Sequence, residues 1–188
     1  MGLRKLEENE IYFIYHNYFS KAFPQEEIRP WSNLEYHLKQ GQYEAYGYFD
    51  EQQALCSYAF FMKTNHVILL DYFASLPEKR GMGIGGVFLQ NLIKNFGDQV
   101  VIAEVEAPVV PKSESDDIRW RRIGFYQRNG FSVLPWRSCA QGVQYRFMGS
   151  GKTNSLQKQD FDTMYQYLFA QEYTKEDMSV WREPVDEN

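Results

Sequence analysis

The chain has 188 residues, 44% of them hydrophobic and 24% charged, and a formal net charge of −5. That balance suits one soluble domain, or one domain with an appendage, large enough to bury a core. The acidic balance argues against nucleic acid as a partner, and no apolar run reaches the length of a membrane span. The opening MGLRKLEENE lacks the apolar core of a signal peptide, and Leu6 stands where a myristoylation signal wants Ser or Thr. Cys56 and Cys139 form no metal or redox spacing and suit a reducing compartment, so the cytoplasm is the expected location.

In chain order, Ile11, Ile14, Tyr15, Tyr18 and Ala22 share one helical stripe, which Pro24 stops. Ser32-Asn33-Leu34-Glu35 predicts a capping box, with Trp31 and Tyr36 as its hydrophobic staple and Gly41 as a left-handed cap at the far end. Tyr43–Phe49, Ala54–Met62 and Val67–Ala74 predict three strands of an antiparallel meander, turning at Asp50–Gln53 and Lys63–His66. A charged turn after Pro77 leads to Arg80-Gly81-Met82-Gly83-Ile84-Gly85-Gly86. A helical pattern follows through Val87, Phe88, Leu89, Leu92, Ile93 and Phe96, then a strand at Val100–Val105. Asp117–Asn129 predicts a helix closed by Gly130, and Phe131–Leu134 and Tyr145–Met148 predict strands. Gly149-Ser150-Gly151-Lys152 has the composition of a hinge. Beyond it Asp160 is the expected cap of a helix burying Phe161, Met164, Tyr165 and Leu168 against the same domain, and the final residues of the chain are expected to be frayed.

A strand, a glycine-dense turn and a helix N-terminus make an anion site, because glycines bring main-chain N–H groups close to a ligand and the helix dipole favours negative charge. The alternative is a glycine-rich turn with no ligand. The P-loop pattern is absent. Gly81, Gly83 and Gly86 match the bare dinucleotide fingerprint, and Glu104 lies near the distance of its acidic residue. That fingerprint, however, belongs to a parallel repeat, and the strands before the turn read as hairpins.

Arg80, Gly83 and Gly85, preceded by Pro77-Glu78, resemble the Arg/Gln-x-x-Gly-x-Gly/Ala loop of the GCN5-related N-acetyltransferases (GNAT). Phe125-Tyr126 followed by Gly130-Phe131 resembles the second signature of that family. The resemblance runs from about Glu7 to Gly149. It implies an α+β fold of the GNAT acyl-CoA N-acyltransferase type, with a mixed, mostly antiparallel sheet splayed between its fourth and fifth strands and helices on both faces. Residues 1–149 would form the acetyltransferase core and 150–188 a helical appendage.

The resemblance also implies the chemistry: transfer of the acetyl group of acetyl-CoA to a primary amine, by direct attack in a ternary complex. The amides of Arg80, Gly81, Met82, Gly83, Ile84, Gly85 and Gly86 would cradle the coenzyme diphosphate, with the Arg80 charge beside it. The main chain of Phe73 and Ser75 would meet the acetyl and pantetheine parts. Alternation places Glu104 and Glu106 on one strand face, as a buried base or as two solvent-facing carboxylates. Glu104 stands at the base position of many relatives, and Tyr126 at the position of the general acid. Arg119 and Arg122 depart from the family pattern; they would meet the coenzyme 3′-phosphate or lie on a solvated helix face. His16, His37 and His66 have no catalytic spacing, and no metal is expected. The acceptor would be a small-molecule or peptide amine, met by the first helices, by Glu26, Glu27 and Arg29, and by the loop containing Pro108 and Pro111. A homodimer is compatible with the resemblance. Two other functions fit the fold: a non-catalytic acyl-CoA-binding sensor or scaffold, and transfer of another acyl or aminoacyl group.

Overall fold

Strands that are apolar on both faces are stable only when both faces are covered. The computed structural model, which describes residues 1–108, 118–140, 142–169 and 178–183, shows how the chain does this. The α+β fold divides into two compact units: Met1–Lys63 with Leu70–Leu92, and Thr64–Leu69 with Ile93–Asn188.

The first unit contains β1 (Gly2–Lys5), α1 (Glu8–Ala22), α2 (Trp31–Lys39), β2 (Tyr43–Phe49) and β3 (Leu55–Lys63), with most of β4 (Val67–Ser75) and of α3 (Ile84–Phe96). Its strands lie in the order β1-β2-β3-β4. Phe19 of α1 fills one face, with ring centroids 5.8, 4.9 and 4.7 Å from Tyr58, Phe60 and Tyr72. Phe88 of α3 fills the other, stacked on Phe73 at 5.5 Å and tilted against Tyr48 at 5.6 Å. Such ring pairs contribute about 0.5–1.5 kcal/mol each beyond their buried area. The expected stripe on α1 left out Phe19, which is buried while Tyr18 is only half-buried.

The capping box expected at Ser32 does not form. Helix α2 starts two residues earlier, at Trp31, because Pro30 takes the cap position and its carbonyl receives the N–H groups of Asn33 and Leu34. Ser32 therefore sits inside the first turn. The other end closes as expected: Gly41 has φ of 68°, and the amides of Gly41 and Gln42 reach back to Leu38 and His37.

The second unit holds β5 (Val100–Glu106), α4 (Ile118–Arg128), β6 (Ser132–Ala140), β7 (Val143–Ser150), α5 (Lys158–Phe169) and β8 (Met178–Arg182). Its strands lie in the order β5-β7-β6-β8, each pair antiparallel. Strand β6 runs well past the expected Leu134. Its register shifts between Val133 and Arg137, around Pro135, and that irregularity hides the alternation of a regular strand. After α5 the chain also forms β8, which pairs with β6 and is followed by a bond from the Glu183 amide to the Pro135 carbonyl at 2.8 Å; the final residues, 184–188, expected to be frayed, lie outside the described residues.

The presumed hinge at residues 149–152 is tightly built. Gly149 and Ser150 finish β7, and a Cβ on Gly149 would lie 2.8 Å from side-chain carbons of Leu134 and Thr153. Gly151 has φ of 84°, and a Cβ there would lie 2.2 Å from the Gln99 carbonyl oxygen. Lys152 pairs with Asp98 at 2.8 Å. These glycines permit close approach of two backbones. Asp160 lies within the first turn of α5, where its carboxylate accepts the Gln157 amide at 2.8 Å, so it supports the start of the helix from inside.

Gly151→Ala should therefore lose more stability in urea unfolding than Gly142→Ala. Gly142 also has a positive φ, of 79°, but faces open space, so its substitution incurs only the left-handed strain of about 1–2 kcal/mol. Equal losses at the two positions would show that the Gln99 contact does not constrain the chain.

Candidate active site

After β4 the chain makes a 3-10 turn at Pro77–Lys79 and reaches the glycine loop. Two side chains tie this turn down. Lys79 Nζ binds Asp50 Oδ2 at 3.0 Å, and Asp50 itself orders the β2–β3 turn by accepting the amides of Gln52 and Ala54 at 3.1 and 2.9 Å. Arg80 Nε donates to the Ser75 carbonyl at 3.1 Å. Lys79 is thus an anchor for the turn.

Gly81 and Gly83 both have φ of 75°, a conformation that L side chains rarely adopt. A Cβ at either would meet nothing within 4 Å, so it is the backbone angle that requires glycine. The resulting curl, followed directly by α3, leaves the amides of Gly81, Met82, Gly83, Ile84 and Gly85 without an acceptor among the described residues. Gly86 differs: its amide and that of Val87 bond the Gly83 carbonyl at 3.1 and 3.2 Å, inside the helix. Consecutive amides at the positive end of a helix dipole can bind an anion. The side chains of Phe73 and Ser75 are committed within the same unit. Phe73 stacks on Phe88, and Ser75 Oγ shares a 2.7 Å bond with Ser57 Oγ. Arg80 occupies one lone pair of the Ser75 carbonyl.

The second unit holds the two expected proton-transfer groups, which no hydrogen bond joins among the described residues. Tyr126 is placed by the end of α4. Gly130, with φ of 93°, reverses the chain, the Gly130 and Phe131 amides return to Gln127 and Tyr126, and the Phe131 ring lies 5.2 Å from the Tyr126 ring. The Tyr-x-x-x-Gly-Phe spacing is therefore a helix stop whose hydrophobic contact fixes the phenol. Burial pushes the Tyr126 hydroxyl up to about 12, against a smaller opposing effect of Arg122, so it holds its proton throughout the neutral range.

Glu104 faces α5. Its Oε1 accepts hydrogen bonds from Ser138 Oγ of β6, at 2.8 Å, and from the Tyr165 hydroxyl of α5. Burial raises its pKa, and the two donors partly offset that effect. Glu106, the other carboxylate of the pair, is bound by Arg119 of α4. That ion pair occupies one of the two arginines considered for a coenzyme phosphate; Arg122 is exposed.

Arg29, considered for a charged substrate, is committed to partners inside the first unit. It is buried against Asp71, with Tyr43 and Asn33 as further partners, whereas Glu26 and Glu27 are exposed. The loop segment with Pro111, residues 109–117, lies outside the described residues. Among the described residues no group of three or more His, Cys, Asp or Glu could hold a metal, and no helix is long and apolar enough to cross a membrane. Tyr165, Ser138 and Asp50 were not singled out from the sequence as functional. The only signal for Tyr165 was its place on the apolar stripe of α5.

A carboxyl whose folded pKa lies above its unfolded value, about 4.3 for Glu, keeps its proton in the fold over an interval where the unfolded chain has lost it. Stability then falls as pH rises through that interval. Glu104→Gln should accordingly gain stability relative to the wild type as the pH is raised from about 4 towards neutrality. A difference in urea midpoints that stays constant with pH would show that Glu104 is not shifted.

No protein-family model matches this sequence, and no curated protein matches it. Solved structures do. A protein from Bacteroides thetaiotaomicron assigned to the GNAT acetyltransferases superposes with a TM-score of 0.70 at 22% identity, covering 92% of this chain and 98% of its own. A variant of the spermidine N-acetyltransferase SpeG from Vibrio cholerae gives a TM-score of 0.59 at 14% identity, covering 85% and 99%. The ribosomal-protein-S18-alanine N-acetyltransferase from Escherichia coli gives 0.57 at 19% identity, covering 83% and 98%. The chain has the GNAT fold.

Proposed function

We propose that this chain is a cytoplasmic N-acetyltransferase that moves the acetyl group of acetyl-CoA to a primary amine by direct attack in a ternary complex. One observation carries the reading: main-chain donors at residues 81–85, without acceptors among the described residues, lead into the positive end of α3 on a fold shared with acetyltransferases. These donors and the Arg80 guanidinium fit a diphosphate. The main chain of Phe73 and Ser75 would hold the pantetheine and acetyl parts. Acetyl-CoA supplies an activated thioester carbonyl and a thiol leaving group.

Glu104 Oε2 then takes a proton from the acceptor ammonium, directly or through water, and Tyr126 holds at its phenol oxygen the proton that leaves with the thiol. Raised to about 12, the Tyr126 phenol keeps its proton across the working pH range and so stands ready as a donor when the thiolate departs. Neither Cys56, which is buried, nor Cys139 is assigned a nucleophilic role. The net charge of −5 favours a cationic acceptor.

Calorimetry should show acetyl-CoA binding to the wild type. Binding should weaken by about tenfold or more in Gly83→Ala, since an alanine there strains the loop by about 1–3 kcal/mol. Thiol release should accompany binding with at least one amine of a mixed panel. Binding without release from any acyl-CoA would replace the enzyme with a sensor or scaffold, and absence of binding would overturn the coenzyme reading altogether. Tyr126→Phe should lower turnover by about 100-fold or more while changing acetyl-CoA affinity little; unchanged turnover would remove Tyr126 from the mechanism.

A further inference from the structure

Helix α5 belongs to neither signature that identifies the coenzyme loop or the acid, yet it delivers a phenol to the carboxylate read above as the base. The register of the second unit puts Glu104 of β5 opposite Phe147 of β7, so both side chains rise from one face of those strands. Phe161 packs on that face, 4.5 Å from the Phe147 ring and 5.0 Å from Trp136, and Tyr165 lies one turn further along the helix. Phe161, Met164 and Leu168 are buried, and the close contacts at Gly149 and Gly151 fix where the chain leaves β7 for α5. The phenol of Tyr165 is therefore held in place by packing.

The two donors have converged on a single atom. Ser138 Oγ and Tyr165 OH both bond Oε1 of Glu104, and among the described residues Oε2 receives no donor. Two bonds to one oxygen fix the plane of the carboxylate and leave the other oxygen able to accept a proton. From this geometry we infer that Tyr165, assisted by Ser138, is a positioning residue for acetyl transfer. It clamps Oε1 so that Oε2 is the proton acceptor, which makes α5 part of the amine side of the active site. The inference rests on the reading of Glu104 as the base.

The electrostatics agree. Charge-assisted bonds are the strong class of hydrogen bond and stabilise the ionised carboxylate against burial. The ionisable groups on the surrounding elements are Tyr165 on α5, Tyr145 on β7, and Glu106 two residues along β5, itself bound by Arg119 of α4. Burial, and then the charge of Glu104, push the Tyr165 phenol well above its usual range, so it remains a donor at every working pH.

The test reads Glu104 directly. In protein labelled with carbon-13 at the glutamate δ-carboxyl, the Glu104 signal is identified by its loss in Glu104→Gln, and its titration is followed in the wild type, Tyr165→Phe and Ser138→Ala. Removing either donor should raise the midpoint, by about one pH unit for Tyr165→Phe. The acid limb of kcat/KM for thiol release should move upward by the same amount. A merely structural role for Tyr165 would lower activity without moving that limb. An unmoved midpoint in both variants, with near-ultraviolet circular dichroism unchanged, overturns the clamp. Ser138→Ala keeps the question decidable if loss of the Tyr165 hydroxyl loosens α5. A raised midpoint in a protein that releases no thiol with any amine leaves the clamp standing and overturns the acetyltransferase reading instead.

Discussion

A helix cannot pair its own first N–H groups, and a chain that enters the helix through left-handed glycines cannot pair those just before it either. Everything proposed for this protein depends on that constraint at residues 81–85. The cluster of donors costs free energy unless it is solvated or bound to an anion, and the surrounding structure is arranged to hold it in shape. Lys79 pulls the turn onto Asp50 and Arg80 grips the Ser75 carbonyl. Phe88, from the first turns of α3, is stacked against Phe73 of the preceding strand. The loop is shaped from both ends while the amides of residues 81–85 have no acceptor among the described residues.

The second unit applies the same logic with the opposite charge. An ionised carboxylate under a helix is expensive unless it accepts hydrogen bonds. Glu104 has them on one oxygen only. Full satisfaction would make it inert, and no satisfaction would leave it protonated. Its neighbour Glu106 is tied to the Arg119 guanidinium instead. A buried ion pair of a more structural kind stands in the first unit, where Arg29 and Asp71 are enclosed by tyrosines.

The features legible in the sequence are local ones. The glycine spacing before α3 and the Tyr126, Gly130, Phe131 spacing at the end of α4 each encode a chain reversal made by neighbouring residues, and each is where it was expected. What the sequence concealed depends on distant partners. Glu104 meets Ser138 and Tyr165 across 34 and 61 positions, and Arg29 meets Asp71 across 42. Tyr165 was indistinguishable from Phe161, Met164 and Leu168, since an apolar stripe does not reveal that one of its members carries a donor to a carboxylate. Glycines 149 and 151 misled in another way: composition alone cannot separate a glycine that confers freedom from one that admits a neighbouring backbone. Pro135 broke the alternation of β6, and the polar residues of β1 never displayed one.

The strands β1 and β8 are short. β1 has four residues and carries Arg4 and Lys5, which are drawn back to Glu10 and Glu44, and β8 has five and ends at Arg182. A brief, charged margin gives a foreign extended peptide little backbone to template upon. Fibrillar stacking by strand addition is thereby discouraged at both margins, and self-association, where it occurs, is left to surfaces formed by side chains.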